Sequence, residues 1–184
     1  MRHILVLLLI VSAQTPDSQP APSEQAQPSA CASAKYSELD FWLGEWDARG
    51  ANASADRPPN SSVITKVHGG CVILETWTSP NYTGQSFNIY DRTRGQWHQT
   101  WVDSGGGLQE FWGGLKGGNM VYEGTAAPSK GQTVGERTRM TFFNLAPGKV
   151  RQLVERSADR GKTWKVQYDF AYTRKAPSTT ASHQ

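Results

Sequence analysis

The chain has 184 residues, a length that suggests one domain. Its 19 Lys and Arg residues and 16 Asp and Glu residues give a net charge of only +3, with no dense basic run. This composition argues against a nucleic-acid-binding protein, so we expect no nucleic-acid partner. No apolar run approaches the roughly 20 residues of a transmembrane helix, so we also expect no integral membrane segment once a leader is removed.

The first residues have the pattern of a secretory signal peptide. A basic start, Arg2 and His3, precedes an unbroken apolar run over 4–11, and small residues follow it. A membrane anchor is the alternative, but the run is too short to span a bilayer. We therefore predict a signal peptide over 1–13 and a secreted or periplasmic protein.

The next segment, 14–35, consists mainly of Pro, Ser, Gln and Ala. Such a composition buries too little apolar surface to fold, so we predict a disordered linker. The chain has two cysteines, Cys31 and Cys71, which allow one intrachain pairing. In an exported protein two cysteines are more often bridged than free, so we predict a disulfide, with two separate thiols as the alternative. Neither cysteine has the spacing of a zinc ligand, and we predict no metal site.

The predicted domain, 36–174, contains many short segments separated by turns rich in glycine and proline. A helical turn capped by Ser37 is expected over 37–42. Alternation of apolar and polar residues then predicts ten strands. They cover 43–49, 62–68, 71–78, 85–91, 96–103, 108–113, 119–125, 136–145, 149–157 and 163–174. The polar tail, 175–184, is expected to be disordered.

The short connections between these segments favour antiparallel pairing of sequence neighbours. A meander of this size must either expose two edges or close on itself, and closure removes edges that promote aggregation. The last segment alternates most clearly, with an apolar face of Trp164, Val166, Tyr168, Phe170 and Tyr172. We therefore predict an all-β fold: an antiparallel up-and-down barrel of about ten strands with a short N-terminal helical turn.

The segment 41–47 has the sequence Phe-Trp-Leu-Gly-Glu-Trp-Asp, with a glycine between two tryptophans. Glycine allows chain segments to approach closely, and tryptophan is large enough to fill a wide cavity end. The pattern resembles the opening of calycin-type barrels, in which a tryptophan plugs one end. This resemblance implies that Trp42 and Trp46 plug one end of the barrel here, with ordinary core aromatics as the alternative.

This opening motif resembles that of a bacterial exported family of unknown function with a lipocalin-like, or calycin-like, barrel. The similarity continues through 70–77, 84–91 and 97–103 and spans most of the predicted domain. A more distant similarity is to nitrobindin-like haem barrels. The resemblance implies a barrel with a pocket and assigns no reaction to it.

Neighbouring strands carry a row of polar and aromatic side chains that would lie side by side inside the barrel. These residues are Glu75, Trp77, Asn88, Tyr90, Gln99 and Trp101. Aromatic walls with a few polar groups suit a small-molecule site, so we predict that the cavity holds an apolar or aromatic ligand. An inward Glu75 would have a raised pKa unless it finds a partner. The alternative is that Glu75 faces water in a cross-strand pair.

Two other functions remain open. A hydrolase or isomerase could use Glu75 or Asp103 as a general base, although the sequence has no recognisable catalytic motif. A structural or partner-binding protein would instead have a filled core and would expose Phe111, Trp112 and Tyr122. The sequence identifies neither the ligand nor the oligomeric state.

A haem-binding barrel is a further alternative, and it needs a histidine facing the cavity. Only His68 or His98 could serve, and neither is well placed, so we predict no cofactor. Residues 157–164 match the Asp-box pattern, Ser-x-Asp-x-Gly-x-Thr-Trp, which recurs in sialidase-like propellers. Because it occurs once here, we interpret it as a turn joining the last two strands.

Overall fold

The computed structural model describes residues 30–125 and 135–176. The predicted signal peptide, 1–13, lies outside the described residues, as do most of the predicted linker, 14–35, and most of the predicted tail, 175–184. The strands are Gly44–Gly50 (β1), Asn60–Val67 (β2), Val72–Thr78 (β3), Thr83–Asp91 (β4), Gln96–Asp103 (β5), Leu108–Lys116 (β6), Asn119–Thr125 (β7), Arg137–Ala146 (β8), Lys149–Ser157 (β9) and Lys165–Arg174 (β10). Three short 3-10 helices cover Ala34–Ser37, Asp40–Trp42 and His68–Gly70. Within the described ranges no helix is both long and apolar enough to cross a lipid bilayer.

The ten strands form one closed antiparallel barrel, which confirms the predicted architecture. Each strand pairs with its neighbours in sequence, and β10 pairs with β1 to close the ring. The closing register runs from Trp46 opposite Arg174 to Gly50 opposite Phe170. Closure leaves no unpaired edge, because every strand has a neighbour on both sides.

The helical turn predicted over 37–42 is present but divided. Ala34–Ser37 and Asp40–Trp42 are separate helices, and Ser37 ends the first of them. The prediction that Ser37 caps a single turn is therefore wrong. The chain changes direction between the helices so that Leu39, which is fully buried, enters the core.

The predicted disulfide between Cys31 and Cys71 is confirmed. It joins the segment before β1 to the residue that precedes β3. The described end of the predicted linker is thus covalently attached to the barrel, and Ala34 already belongs to a helix. At the other terminus, Lys175 Nζ donates a hydrogen bond to Ser61 Oγ over 2.9 Å.

Two tryptophans fill the end of the barrel at which β1 begins, here called the Trp42 end. Trp42 and Trp46 are both fully buried, and Trp46 Nε1 donates to the backbone oxygen of Trp42 over 2.8 Å. The ring of Trp42 lies 4.4 Å from that of Phe142, measured between centroids. Gly44 lies between them with φ +121°, a conformation that L side chains rarely adopt. The guanidinium of Arg174 passes over this glycine and lies 4.5 Å from the Trp46 ring.

The alternation predicted for the last strand holds only in part. A bulge between Val166 and Tyr168 shifts the register, so Val166 lies outside and is exposed while Tyr168 faces the interior. Trp164 precedes β10, and its Nε1 donates to the oxygen of Gly161 over 3.1 Å within the Asp-box turn. The prediction that Trp164 and Val166 belong to the buried face is therefore wrong.

The Asp-box segment forms the predicted turn between β9 and β10. Asp159 Oδ1 accepts hydrogen bonds from Ser157 Oγ and from the backbone nitrogen of Thr163 over 2.7 and 2.8 Å. Asp159 Oδ2 accepts one from Thr163 Oγ1 over 2.6 Å. These hydrogen bonds, first among them that from the Thr163 hydroxyl, lower the pKa of Asp159 to about 2.

Candidate ligand-binding cavity

The barrel contains a cavity of about 410 Å³ in the half away from the Trp42 end. A volume of this size suits a small organic molecule. Its described lining consists of Glu75, Trp77, Tyr82, Gln99, Trp101, Asp103, Gln109, Phe111, Met140, Gln152, Gln167, Tyr168, Phe170 and Tyr172. A depression of about 580 Å³, near residues 49–58, shares Trp77, Tyr82, Gln167, Tyr168 and Phe170 with it.

Four of the six residues predicted to bind a ligand line this cavity. They are Glu75, Trp77, Gln99 and Trp101. Tyr90 does not join them: it lies at the Trp42 end, where its ring is 5.9 Å from Tyr36 and 6.1 Å from Trp97. Asn88 is fully buried below the cavity surface. The prediction that all six residues line one cavity is therefore wrong for Asn88 and Tyr90. These residues lie deeper in the barrel, because successive inward positions along β4 lie at different depths.

Glu75 is the buried carboxyl of the site. It faces inward on β3 and is 3% exposed, so the surface cross-strand alternative is wrong. Its oxygens accept hydrogen bonds from Ser62 Oγ over 2.8 Å and from Ser86 Oγ over 2.9 Å. Burial raises the pKa of Glu75 to about 7, and the two hydroxyl donors offset this only in part. None of the ion pairs among the described residues involves Glu75.

Asn88 organises the layer beneath the cavity. Its Oδ1 accepts hydrogen bonds from Gln99 Nε2 over 3.0 Å and from the Tyr122 hydroxyl over 3.1 Å. Its Nδ2 donates to Ser86 Oγ over 3.1 Å and to the backbone oxygen of Ile73 over 3.3 Å. Asn88 thus fixes Gln99, which lines the cavity, and is connected to Glu75 through the serine. Its role in the site is to position other side chains.

Trp101 and Asp103 form part of the cavity rim on β5. Trp101 Nε1 donates to Asp103 Oδ2 over 2.9 Å, and Asp103 Oδ1 accepts from the backbone nitrogens of Gly105 and Gly107 over 2.9 and 3.0 Å. These bonds, led by that from Trp101, lower the pKa of Asp103. A carboxyl whose pKa is lowered is a poorer proton acceptor at neutral pH, so Asp103 is better suited to holding the rim and Trp101 than to general-base catalysis.

The opposite wall comes from β8, β9 and β10, which our site prediction missed. The Tyr172 hydroxyl donates to Gln152 Oε1 over 2.8 Å, and Gln152 Nε2 donates to Met140 Sδ over 3.2 Å. Tyr168 and Phe170 complete this wall, with ring centroids 5.5 Å apart. The alternation of the last strand marks its buried face, but only closure of the barrel brings that face opposite β3 and β5.

The two described histidines lie away from the cavity. His98 is on the outer face of β5, where its ring stacks on Trp112 at 3.8 Å between centroids. His68 is exposed in the turn at the Trp42 end. Neither lines the cavity, so the histidine that the haem alternative required is not found there among the described residues.

The filled-core alternative required three exposed aromatic side chains. Phe111 is 3% exposed and lines the cavity, and Tyr122 is fully buried. Only Trp112 lies on the outer face, half-buried between His98 and Arg94. The exposure that the filled-core alternative predicted for Phe111 and Tyr122 is therefore wrong.

No protein-family model matches this sequence, and a search of curated proteins finds no matching relative. The arguments for function therefore come from the barrel and its cavity.

Proposed function

We propose that the protein is an exported binding protein whose barrel holds a small, largely aromatic or apolar molecule. The observation that carries this proposal is the cavity of about 410 Å³, half of whose lining residues are aromatic and which has a buried carboxyl at Glu75. Such a lining removes apolar ligand surface from water, and Glu75 and Gln99 supply groups that orient the ligand.

Export is part of the same proposal. The predicted signal peptide, 1–13, and the disulfide support it, because disulfides persist mainly in oxidising compartments. The resemblance of the opening motif to an exported family of lipocalin-like barrels points the same way. Expression of the full chain in a bacterium followed by N-terminal sequencing tests it: we expect a mature protein that begins just after residue 13.

Ligand binding is tested with an uncharged fluorescent probe, N-phenylnaphthylamine, titrated into the purified protein. We expect saturable binding that Trp101→Ala weakens, because Trp101 lines the cavity. Trp112→Ala is the matched control, since that ring lies on the outer face of the barrel. Native mass spectrometry of the purified protein would also reveal a retained ligand. Absence of saturable binding, or equal weakening by both variants, would overturn the proposal.

A second candidate is an enzyme that uses Glu75 as a general base. The specific observation in its favour is the burial of Glu75 in the cavity wall, which raises its pKa to about 7, a value that suits proton transfer at neutral pH. The test is to incubate a small-molecule extract with the wild type and with Glu75→Gln and to compare the masses present over time. A compound that only the wild type consumes would establish catalysis, whereas identical profiles would favour binding alone.

A further inference from the structure

We propose that the ligand of this cavity is an organic cation, such as a quaternary ammonium compound, whose charged group lies against Glu75 and the surrounding aromatic rings. This inference rests on the proposed binding function and specifies the chemical class of the ligand. It depends on the distribution of charge in the lining, the partners of Glu75, and the aromatic side chains that line the same cavity.

The described lining of the cavity carries negative charge without any positive charge. Glu75 and Asp103 are its two carboxylates, and the lining contains no lysine, arginine or histidine within the described residues. The basic side chains of the barrel lie outside this lining: Arg156 is near enough to act electrostatically on Tyr168, and Arg49 and Arg57 line the adjoining depression. Arg139 forms an ion pair with Glu155 over 2.8 Å. Arg151 forms one with Asp169 over the same distance, and both pairs lie on the outer surface. An anionic ligand would therefore meet repulsion in the cavity, and a cation would meet attraction.

Glu75 has hydrogen-bond donors but no counter-charge. Ser62 and Ser86 each donate a neutral hydroxyl to it, and both serines are fully buried. A buried carboxylate supported only by neutral donors is costly, because its charge is removed from water and remains uncompensated. A cation bound in the cavity would supply that missing charge. Ordinary apolar ligands would leave the carboxylate uncompensated.

Aromatic side chains surround the same space. Trp77 and Trp101 lie on neighbouring sides of the cavity, with Phe111, Phe170 and Tyr172 completing the walls. The face of an aromatic ring carries partial negative charge, and several such faces together bind quaternary ammonium groups well. A carboxylate next to aromatic walls thus favours an alkylated cation over a small hydrated one, because the walls also bury its methyl groups.

The ionisation of Glu75 makes the inference sensitive to pH. The titratable groups that interact with Glu75 from other elements are the hydroxyls of Tyr82, Tyr168 and Tyr172, and burial raises the pKa of each of them, so they stay neutral. Asp103 at the rim stays ionised, since its hydrogen bonds lower its pKa. Glu75, with a pKa of about 7, is therefore the lining group that changes charge near neutral pH.

The experiment compares three probes that share one benzene ring: phenyltrimethylammonium, its uncharged isostere tert-butylbenzene, and benzenesulfonate. Isothermal titration calorimetry with the full chain should give an affinity for the ammonium compound at least about tenfold above that of the isostere, with no binding of the sulfonate. The affinity for the ammonium compound should fall about fivefold from pH 8 to pH 6, because Glu75, with a pKa of about 7, is then mostly protonated and its neutral form, like glutamine, binds about tenfold more weakly.

Glu75→Gln should reduce the affinity for the ammonium compound at pH 8 by about tenfold and abolish its pH dependence, without weakening the binding of tert-butylbenzene. Glu45→Gln, on the exposed outer side of β1, is the matched control and should change neither affinity. Equal affinities for the ammonium compound and its isostere would overturn the inference, as would pH-independent binding by the wild type.

The two proposals fail in different ways. If N-phenylnaphthylamine binds but phenyltrimethylammonium does not, the proposal of a cationic ligand is overturned and the proposed binding function stands. If neither compound binds, both proposals are overturned.

Discussion

Ser62 Oγ donates a hydrogen bond to Oε1 of Glu75 over 2.8 Å, across the pairing of β2 with β3. This bond supports a carboxyl that the fold takes out of water, and burial still raises its pKa from 4.5 to about 7. The fold therefore contains a group that reduces stability at neutral pH. Such groups are concentrated at functional sites, which agrees with the place of Glu75 in the cavity.

The first prediction is that Glu75→Gln stabilises the protein at neutral and higher pH. Below pH 4.5 the carboxyl is protonated in both the folded and unfolded states, so it has no effect. Between pH 4.5 and about 7 the unfolded chain releases a proton that the folded protein retains, and the free energy of unfolding falls by about 3 kcal/mol. Glutamine does not titrate, so the variant avoids this loss. Chemical denaturation should therefore show a free energy of unfolding up to about 3 kcal/mol higher than that of the wild type at pH 8, and almost no difference at pH 4.

Glu45→Gln serves as the control, because this carboxyl is exposed on the outer side of β1. It should leave the stability difference between pH 4 and pH 8 unchanged. A Glu75→Gln variant that is no more stable than the wild type at pH 8 would show that the buried carboxyl is compensated in solution.

The second prediction concerns the hydrogen-bonded layer around Asn88. Asn88→Ala leaves Gln99 Nε2 and the Tyr122 hydroxyl without their shared acceptor inside the barrel. Because unsatisfied buried donors are costly, we expect the free energy of unfolding to fall by about 2–4 kcal/mol. Tyr122→Phe removes one of these donors and leaves the other in place, so it should cost only about 1 kcal/mol.

Denaturant titration measures both variants, and the probe N-phenylnaphthylamine reports on the cavity. We expect Asn88→Ala to weaken probe binding as well, since Gln99 loses the contact that fixes its amide. If Asn88→Ala and Tyr122→Phe had equal effects on stability, Asn88 would contribute nothing beyond its bond to the tyrosine.

The third prediction concerns Gly44 and Arg174. A β-carbon at Gly44 would collide with Nη1 of Arg174, and the backbone there has φ +121°. Gly44→Ala should therefore lower the free energy of unfolding by about 2 kcal/mol or more. Arg174→Ala removes the collision, so Gly44→Ala should cost less in that background. The loss of stability that Gly44→Ala still causes in that background would measure the cost of the backbone conformation at residue 44 alone.

Denaturation of the two single variants and the double variant gives this coupling energy. Equal costs of Gly44→Ala in the two backgrounds would show that the arginine does not limit the space above the glycine.

Much of this architecture follows from short-range patterns. Alternation along each strand and the shortness of the turns predict antiparallel neighbours, and the need to remove exposed edges then predicts closure. The cysteine pairing follows because the chain has only two cysteines. Glu75, Trp77, Gln99 and Trp101 were predicted together because β3, β4 and β5 are consecutive, so their inward rows must be adjacent.

The features that sequence reasoning missed depend on how deep a residue lies in the barrel, on a bulge in a strand, or on contacts between distant parts of the chain. Asn88 and Tyr90 lie on the inward side of β4, but alternation carries no information on how far along the barrel the cavity extends. Val166 is outward because of a bulge, which adds one residue and reverses the alternation. The contact of Arg174 with Trp46 joins the two ends of the domain and arises only when β10 meets β1.

The fourth prediction concerns the disulfide, which closes a loop of 40 residues that includes the two helices before β1, together with β1 and β2. Replacing Cys31 and Cys71 by alanine frees the unfolded chain from this constraint, and loop-closure entropy predicts a loss of up to about 4 kcal/mol in the free energy of unfolding. The bond lies at the Trp42 end, away from the cavity, so the variant should bind N-phenylnaphthylamine with unchanged affinity at temperatures where it remains folded. Denaturant titration and probe titration measure the two effects separately. Loss of binding in a variant that is still folded would show that the Trp42 end also controls the shape of the cavity.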